Sequence, residues 1–237
     1  MVKIAIISAM EIELAPLFEN LASDSAWIIR DKNIYINREL NLSIYGGVLG
    51  VGKVNAAYRT AEILLEFSPD LVINVGYAGG MKAGAYGGDI VIGNDYRQID
   101  FRALVSGYEP GIVPFAKPFV IPEEFIRLLE LKSRDLSFNY HVGRIATGDF
   151  FLSDSDTKNK LVADFSPVAY DMESAAIAHV CAEKGTAFVA VRTLSDLAND
   201  HAEKTIKKLS NREAKIEQKP IKLVLSVLRD HPTLTLD

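Results

Sequence analysis

Four apolar runs constrain this chain more than any other feature. VKIAIIS (residues 2–8), DLVINVGYAGG (70–80), GGDIVIGNDYRQID (87–100) and TAFVAVRTLSD (186–196) are rich in Val and Ile. Each is short and bounded by turn residues or helical patterns, so each reads as a strand with a buried centre. None approaches the roughly 18 apolar residues of a membrane span. Between them lie segments of helical spacing: MEIELAPLFENL, with Met10, Leu14 and Leu17 on one face, then KVNAAYRTAEILLEF, PEEFIRLLELKSR and ESAAIAHVCAEKG, the last stopped by Gly185. AWIIRDKNIYINRELNLSIYGG reads as short antiparallel hairpins, and YHVGRIATGDFF as a further strand entering a loop. NVGYAGG reads as a strand running into a glycine turn. Residues 100–120, with three prolines, read as a long irregular loop. A charged tail over about 203–230 reads as helical, interrupted before Pro220. Strands alternating with helices, with early hairpins, predict one α/β domain over residues 1–237 with a mixed sheet.

Composition narrows the function classes. The net charge of −5, with no long basic run, argues against a nucleic-acid partner. Cys181 is the only cysteine and cannot form an internal disulfide, which suits a reducing compartment. The N-terminus lacks a secretory pattern, so a cytoplasmic protein is expected. The four histidines are scattered, and no Cys/His spacing suggests a metal site.

Several motifs cluster at strand ends, where open α/β sheets bind ligands. GVLGVGKV (47–54) nearly fits a phosphate-binding loop, but Val54 stands where a Ser or Thr hydroxyl belongs. The alternative is a tight strand-to-helix turn that needs glycine. TGDFFLSDS places Phe150 and Phe151 together, so one can face a pocket while the other packs. VRTLSD brings Arg192 and Asp196 to the end of a buried strand. Charges there are costly unless paired or functional, and an Arg192–carboxylate pair would satisfy the first condition. Glu13 follows the first strand in the same way. In AYDMESAAIAHV, Asp171 and Glu173 precede an apolar, small-residue helix, where the helix dipole favours negative charge. Together these residues describe a cleft with several carboxylates and no Ser-His-Asp set.

The ordered set IISAMEIE, GVGKVNAA, NVGYAGG, GDIVI, TGDFFL, DMESAAIAHV and VRTLSD resembles the nucleoside phosphorylase/nucleosidase superfamily. Within it the set is most similar to the 5′-methylthioadenosine/S-adenosylhomocysteine nucleosidases, over about residues 2–200. The resemblance implies a three-layer α/β/α fold with a mixed sheet, a homodimer, no metal and no cofactor. The implied reaction is hydrolysis of the N-glycosidic bond of a purine nucleoside. It assigns Glu13 to activating water, Asp196 to protonating N7 of adenine, Glu173 to the ribose hydroxyls and Arg192 to the neighbourhood of the water. It assigns Met172 to the sugar, Phe151 to stacking on adenine, Leu152 to reading the base edge by its backbone, and Ala78 and Gly79 to the substrate-binding segment. Three departures stand out. Tyr77 replaces a small residue, usually serine. The 100–115 loop is about two residues longer and lacks an aromatic before its glycine. Ile12 interrupts an acidic triplet. In the family this loop closes a neighbouring subunit's pocket for the 5′-substituent. A phosphorylase or a futalosine-type nucleosidase on the same fold, and a non-catalytic nucleoside sensor, are the competing functions.

Overall fold

The structure, a computed structural model, describes residues 1–102, 107–202, 204–205 and 215–231. Nine strands form one mixed sheet: β1 (Val2–Ser8), β2 (Ile28–Asp31), β3 (Ile34–Asn37), β4 (Leu42–Val48), β5 (Leu71–Gly80), β6 (Ile90–Gln98), β7 (Tyr140–Thr147), β8 (Ala169–Asp171) and β9 (Ala187–Asp196). The described helices are α1 (Glu11–Ser23), α2 (Lys53–Glu66), α3 (Glu123–Asp135), α4 (Ser155–Phe165), α5 (Ser174–Lys184) and α6 (Gln218–Asp230). The order is β2-β3-β4-β1-β5-β8-β7-β6-β9, and β9 also pairs with β5, so the last five strands close into a ring. The early hairpins are antiparallel as read, while β4, β1, β5 and β9 run parallel to their successive neighbours.

Strand periodicity sorts the core into two faces. Ile4, Ile6, Leu71, Ile73, Val189 and Val191 pack with α1, α3 and α6. Their alternates Ala5, Ile7, Val72, Phe188 and Ala190 pack with α2 and α5. The result is the expected three-layer arrangement, and it explains the near-continuous apolar runs, since both sheet faces are covered. Among the described residues no helix is long and apolar enough to cross a membrane.

Several details differ from the sequence reading. The glycine segment is no turn: β5 continues through Gly76, Gly79 and Gly80, and Gly79 and Gly80 pair with Tyr170 and Ala169 of β8. Met10 does not share the buried face of α1; it precedes the helix and is partly exposed. The tail is interrupted before Pro220 as read: residues 215–217 are non-helical, and α6 then takes Pro220 into its first turn, where backbone N–H groups lack intrahelical partners anyway. Residues 203 and 206–214 of the expected tail helix lie outside the described residues, as do Leu104 and Val105 of the 100–115 loop. Both α4 and the three-residue β8 are additional to the sequence reading. The polar run after Phe151 is capped by Asp154, whose carboxylate accepts the Thr157 N–H at 2.7 Å, and α4 buries Leu161 and Phe165.

Candidate active site

The site residues that the resemblance implies meet in one place. Glu13, Ala78, Gly79, Phe151, Leu152, Met172, Glu173, Arg192 and Asp196 all line a single cavity of about 540 Å³. It lies where β5 and β9 end, α1 follows β1, and α5 follows β8. Its wall also includes Tyr77 and Asp171, both noted in the sequence, and Met10, Val51, Ser195 and Glu217, which the sequence reading did not assign to a site.

Glu13 sits three residues into α1, and both its oxygens are held. Oε2 accepts the Met10 N–H at 2.9 Å, and Oε1 accepts the Tyr77 N–H at 2.7 Å. Gly76 makes this approach possible: its φ is +134°, and a Cβ there would fall on the Glu13 carboxylate and crowd Arg192 Nη1. Burial pushes the Glu13 carboxyl above its ordinary value, although Arg192 and the backbone donors oppose the shift.

Arg192 lies in register with Gly76 and is fully buried. Its Nη2 pairs with Asp171 at 3.1 Å and Glu173 at 3.0 Å. Its Nη1 donates to the Val75 carbonyl at 2.8 Å and to Asn74 Oδ1 at 3.3 Å. Its Nε is buried without a hydrogen-bond partner among the described residues. Burial works against the guanidinium charge, but Asp171, Glu173 and Glu13 outweigh it and raise its proton affinity. The structural pair suspected from the sequence is therefore present, and it is a cluster of carboxylates around one cation.

The two acids of AYDMESAA divide their work. Asp171 ends β8 and is saturated: Oδ1 accepts from Thr147 Oγ1 at 2.7 Å and from the Ser174 N–H at 3.1 Å, and Oδ2 accepts from Ser174 Oγ. It ties α5 to the sheet. Glu173, the N-cap of α5, receives the Gly52 N–H at 3.0 Å on Oε1 and Arg192 on Oε2. Burial, with Asp171 and Glu13 nearby, raises its carboxyl to about 7 against the pull of Arg192.

Asp196 ends β9. Its Oδ1 accepts the Ala198 N–H at 2.7 Å, and its Oδ2 accepts Ser195 Oγ at 2.7 Å. Burial raises its carboxyl; Ser195, Ala198 and Lys158 oppose that rise. Three β5 steps separate the residues paired with Arg192 and Asp196, a backbone distance of about 10 Å. Phe150 packs on Tyr170, with ring centres 5.4 Å apart, while Phe151 faces the cavity. Tyr77 also lines the cavity, and its hydroxyl donates to Glu217 at 3.3 Å. The near-phosphate loop is a strand-to-helix turn, with Gly50 and Gly52 both at positive φ.

Such a cleft belongs to a class of α/β enzymes. Residues 3–229 match the phosphorylase superfamily. A 5′-methylthioadenosine/S-adenosylhomocysteine nucleosidase from an Exiguobacterium species is 36% identical over 84% of this chain and 87% of its own length. One from Staphylococcus haemolyticus is 30% identical over 95% of this chain and 100% of its own. The crystal structure of an S-adenosylhomocysteine nucleosidase from Streptococcus pyogenes, in complex with 5-methylthiotubericidin, has a TM-score of 0.83 at 30% identity and covers 97% of both chains. The chain belongs to the 5′-methylthioadenosine/S-adenosylhomocysteine nucleosidase family of the phosphorylase superfamily.

Proposed function

We propose that this protein hydrolyses the N-glycosidic bond of 5′-methylthioadenosine and S-adenosylhomocysteine, releasing adenine. The observation that carries the reading is the charge arrangement of the cavity. Glu13, Asp171 and Glu173 surround the buried Arg192, and Asp196 lines the same cavity. Cleavage breaks the C1′–N9 bond, leaves the electron pair on the purine and makes the sugar cationic. Asp196, its carboxyl raised by burial, supplies the proton to N7 and so neutralises the leaving group. Glu173 places its charge beside the sugar hydroxyls and the developing cation. Glu13 takes a proton from water as the water oxygen bonds to C1′. Met172 packs on the sugar, Phe151 stacks on the base, Leu152 reads its edge, and Ala78 and Gly79 support it. No metal or cofactor enters this scheme.

Water is favoured over phosphate for a physical reason. Among the described residues the cavity wall carries two cations, Arg192 and Lys215. The terminal nitrogens of Arg192 are already committed to two carboxylates, a backbone carbonyl and an amide. Phosphate would meet Glu13 as a like charge. Incubating the protein with 5′-methylthioadenosine tests the reading: free adenine and methylthioribose, formed without phosphate, are expected.

The reading extends to a cytoplasmic homodimer acting as one domain. Val54 and Tyr58 on α2, with Ile12 and Val51 at the cavity mouth, leave large apolar side chains exposed. None of the described residues of the 100–115 loop lines the chain's own cavity, while Phe115 is 93% exposed. These features suit a second copy lending that loop to its neighbour's site. The free, buried Cys181 suits a reducing compartment.

A further inference from the structure

One motif has no part in the chemistry above: Lys53, in the glycine turn that resembled a phosphate loop. Lys53 does not line the cavity, yet it joins two segments that do, the turn through Val51 and the loop carrying Phe151, to the root of the 100–115 loop. Its ammonium donates to Asp100 Oδ1 at 2.6 Å and to Gln98 Oε1 at 3.3 Å. Its backbone N–H donates to Asp149 Oδ1 at 2.8 Å. Asp100 returns through its other oxygen to the Asp149 N–H at 3.0 Å. The result is a closed circuit, Lys53–Asp100–Asp149–Lys53. It ties the start of α2 to the loop carrying Phe151 and to the root of the 100–115 loop.

The circuit bears on one catalytic contact. Gly52, immediately before Lys53, gives its N–H to Glu173 Oε1 at 3.0 Å. Gly52 caps α2 at φ +93°, and a Cβ there would stand 3.3 Å from Asp149 Oδ1. The direction of that N–H is thus set by how the turn is pinned. The Lys53 and Asp100 side chains are 18% and 29% exposed, so the ion pair is partly shielded from solvent. Asp100 is held below the usual carboxylate range because Lys53 and the Asp149 N–H outweigh its partial burial.

We propose that Lys53 is a positioning residue: through Asp100 and Asp149 it aims the Gly52 N–H at Glu173, and so orients the carboxylate that receives the ribose hydroxyls. This rests on the reading of Glu173 as the ribose ligand. It predicts a penalty that depends on those hydroxyls. Lys53→Met and Asp100→Asn should each lower kcat/KM for 5′-methylthioadenosine by about tenfold or more, the scale of a misaligned charge-assisted hydrogen bond. On the 2′,3′-dideoxy analogue, which offers Glu173 no hydroxyl, the same variants should lose less than about threefold, and Lys53→Arg should recover most of the loss. Equal penalties on both substrates, or none on either, would overturn the proposal, since a purely structural clamp would affect both alike. Asp100→Asn keeps the test decisive if Lys53→Met fails to fold. If the wild-type protein binds the nucleoside without cleaving it, the hydrolase reading falls. The same comparison, made on Kd by calorimetry, then decides the role of Lys53.

Discussion

Asp196 has two hydrogen-bond donors, Ser195 Oγ and the Ala198 N–H, and no direct cation among the described residues. Burial raises its carboxyl against the pull of those donors, and the proton such a carboxyl can give to N7 is one that an amide cannot deliver. Asp196→Asn should lower kcat by about 10³-fold, within the range of general-acid losses, while nucleoside affinity stays within about threefold. Rapid-quench kinetics with parallel calorimetry measures both. Glu173 gives a pH prediction. Its folded value of about 7 exceeds the unfolded value, so the folded state holds the extra proton. The stability this group contributes is full below about pH 4 and is lost as pH rises through about 7. Melting temperature of the ligand-free protein should fall between those limits, and Glu173→Gln should flatten that fall. An unchanged slope would count against this. At this scale the sequence was most legible where charge ends an apolar strand, as at Arg192 and Asp196. The separate duties of Asp171 and Glu173 were not legible, because Thr147 and Gly52 reach them from elsewhere in the chain.

Elements were legible according to length and pattern. The long apolar strands and α5, stopped by Gly185 in the left-handed region at φ +70°, carry their own signals. β8 has three residues and owes its strand form to β5 and β7 on either side, which no local pattern reveals. α4 begins at a polar run whose Asp154 cap is read only once the helix is in view. The β5 glycines look like a turn because glycine usually breaks strands; here tertiary crowding demands them. Gly76→Ala tests that point. Its Cβ would meet Glu13 and Arg192 in a backbone region that L side chains avoid. The substitution should cost about 2 kcal/mol or more and reduce turnover together, because Glu13 must move. Chemical denaturation and kinetics on one preparation will show it; full activity with unchanged stability would contradict the fit described here.

The whole molecule joins a sheet covered on both faces to a cavity at the carboxyl ends of β5 and β9. The mixed α/β sheet followed from residue patterns and its three-layer arrangement from the family resemblance, whereas closure of five strands into a ring needed the β5–β9 pairing to be seen. Assembly is the next test at this scale. Light scattering at micromolar concentration should give a dimer, and a fully active monomer would remove the partner loop from the account. The central claim is that Glu13 directs water, not phosphate, to the sugar. Cleavage of 5′-methylthioadenosine in water labelled with heavy oxygen, with phosphate in excess, decides it by mass spectrometry of the sugar. The account predicts methylthioribose carrying one labelled oxygen at C1, at a rate independent of phosphate and largely lost in Glu13→Gln. Unlabelled methylthioribose-1-phosphate, formed only when phosphate is present, would contradict it.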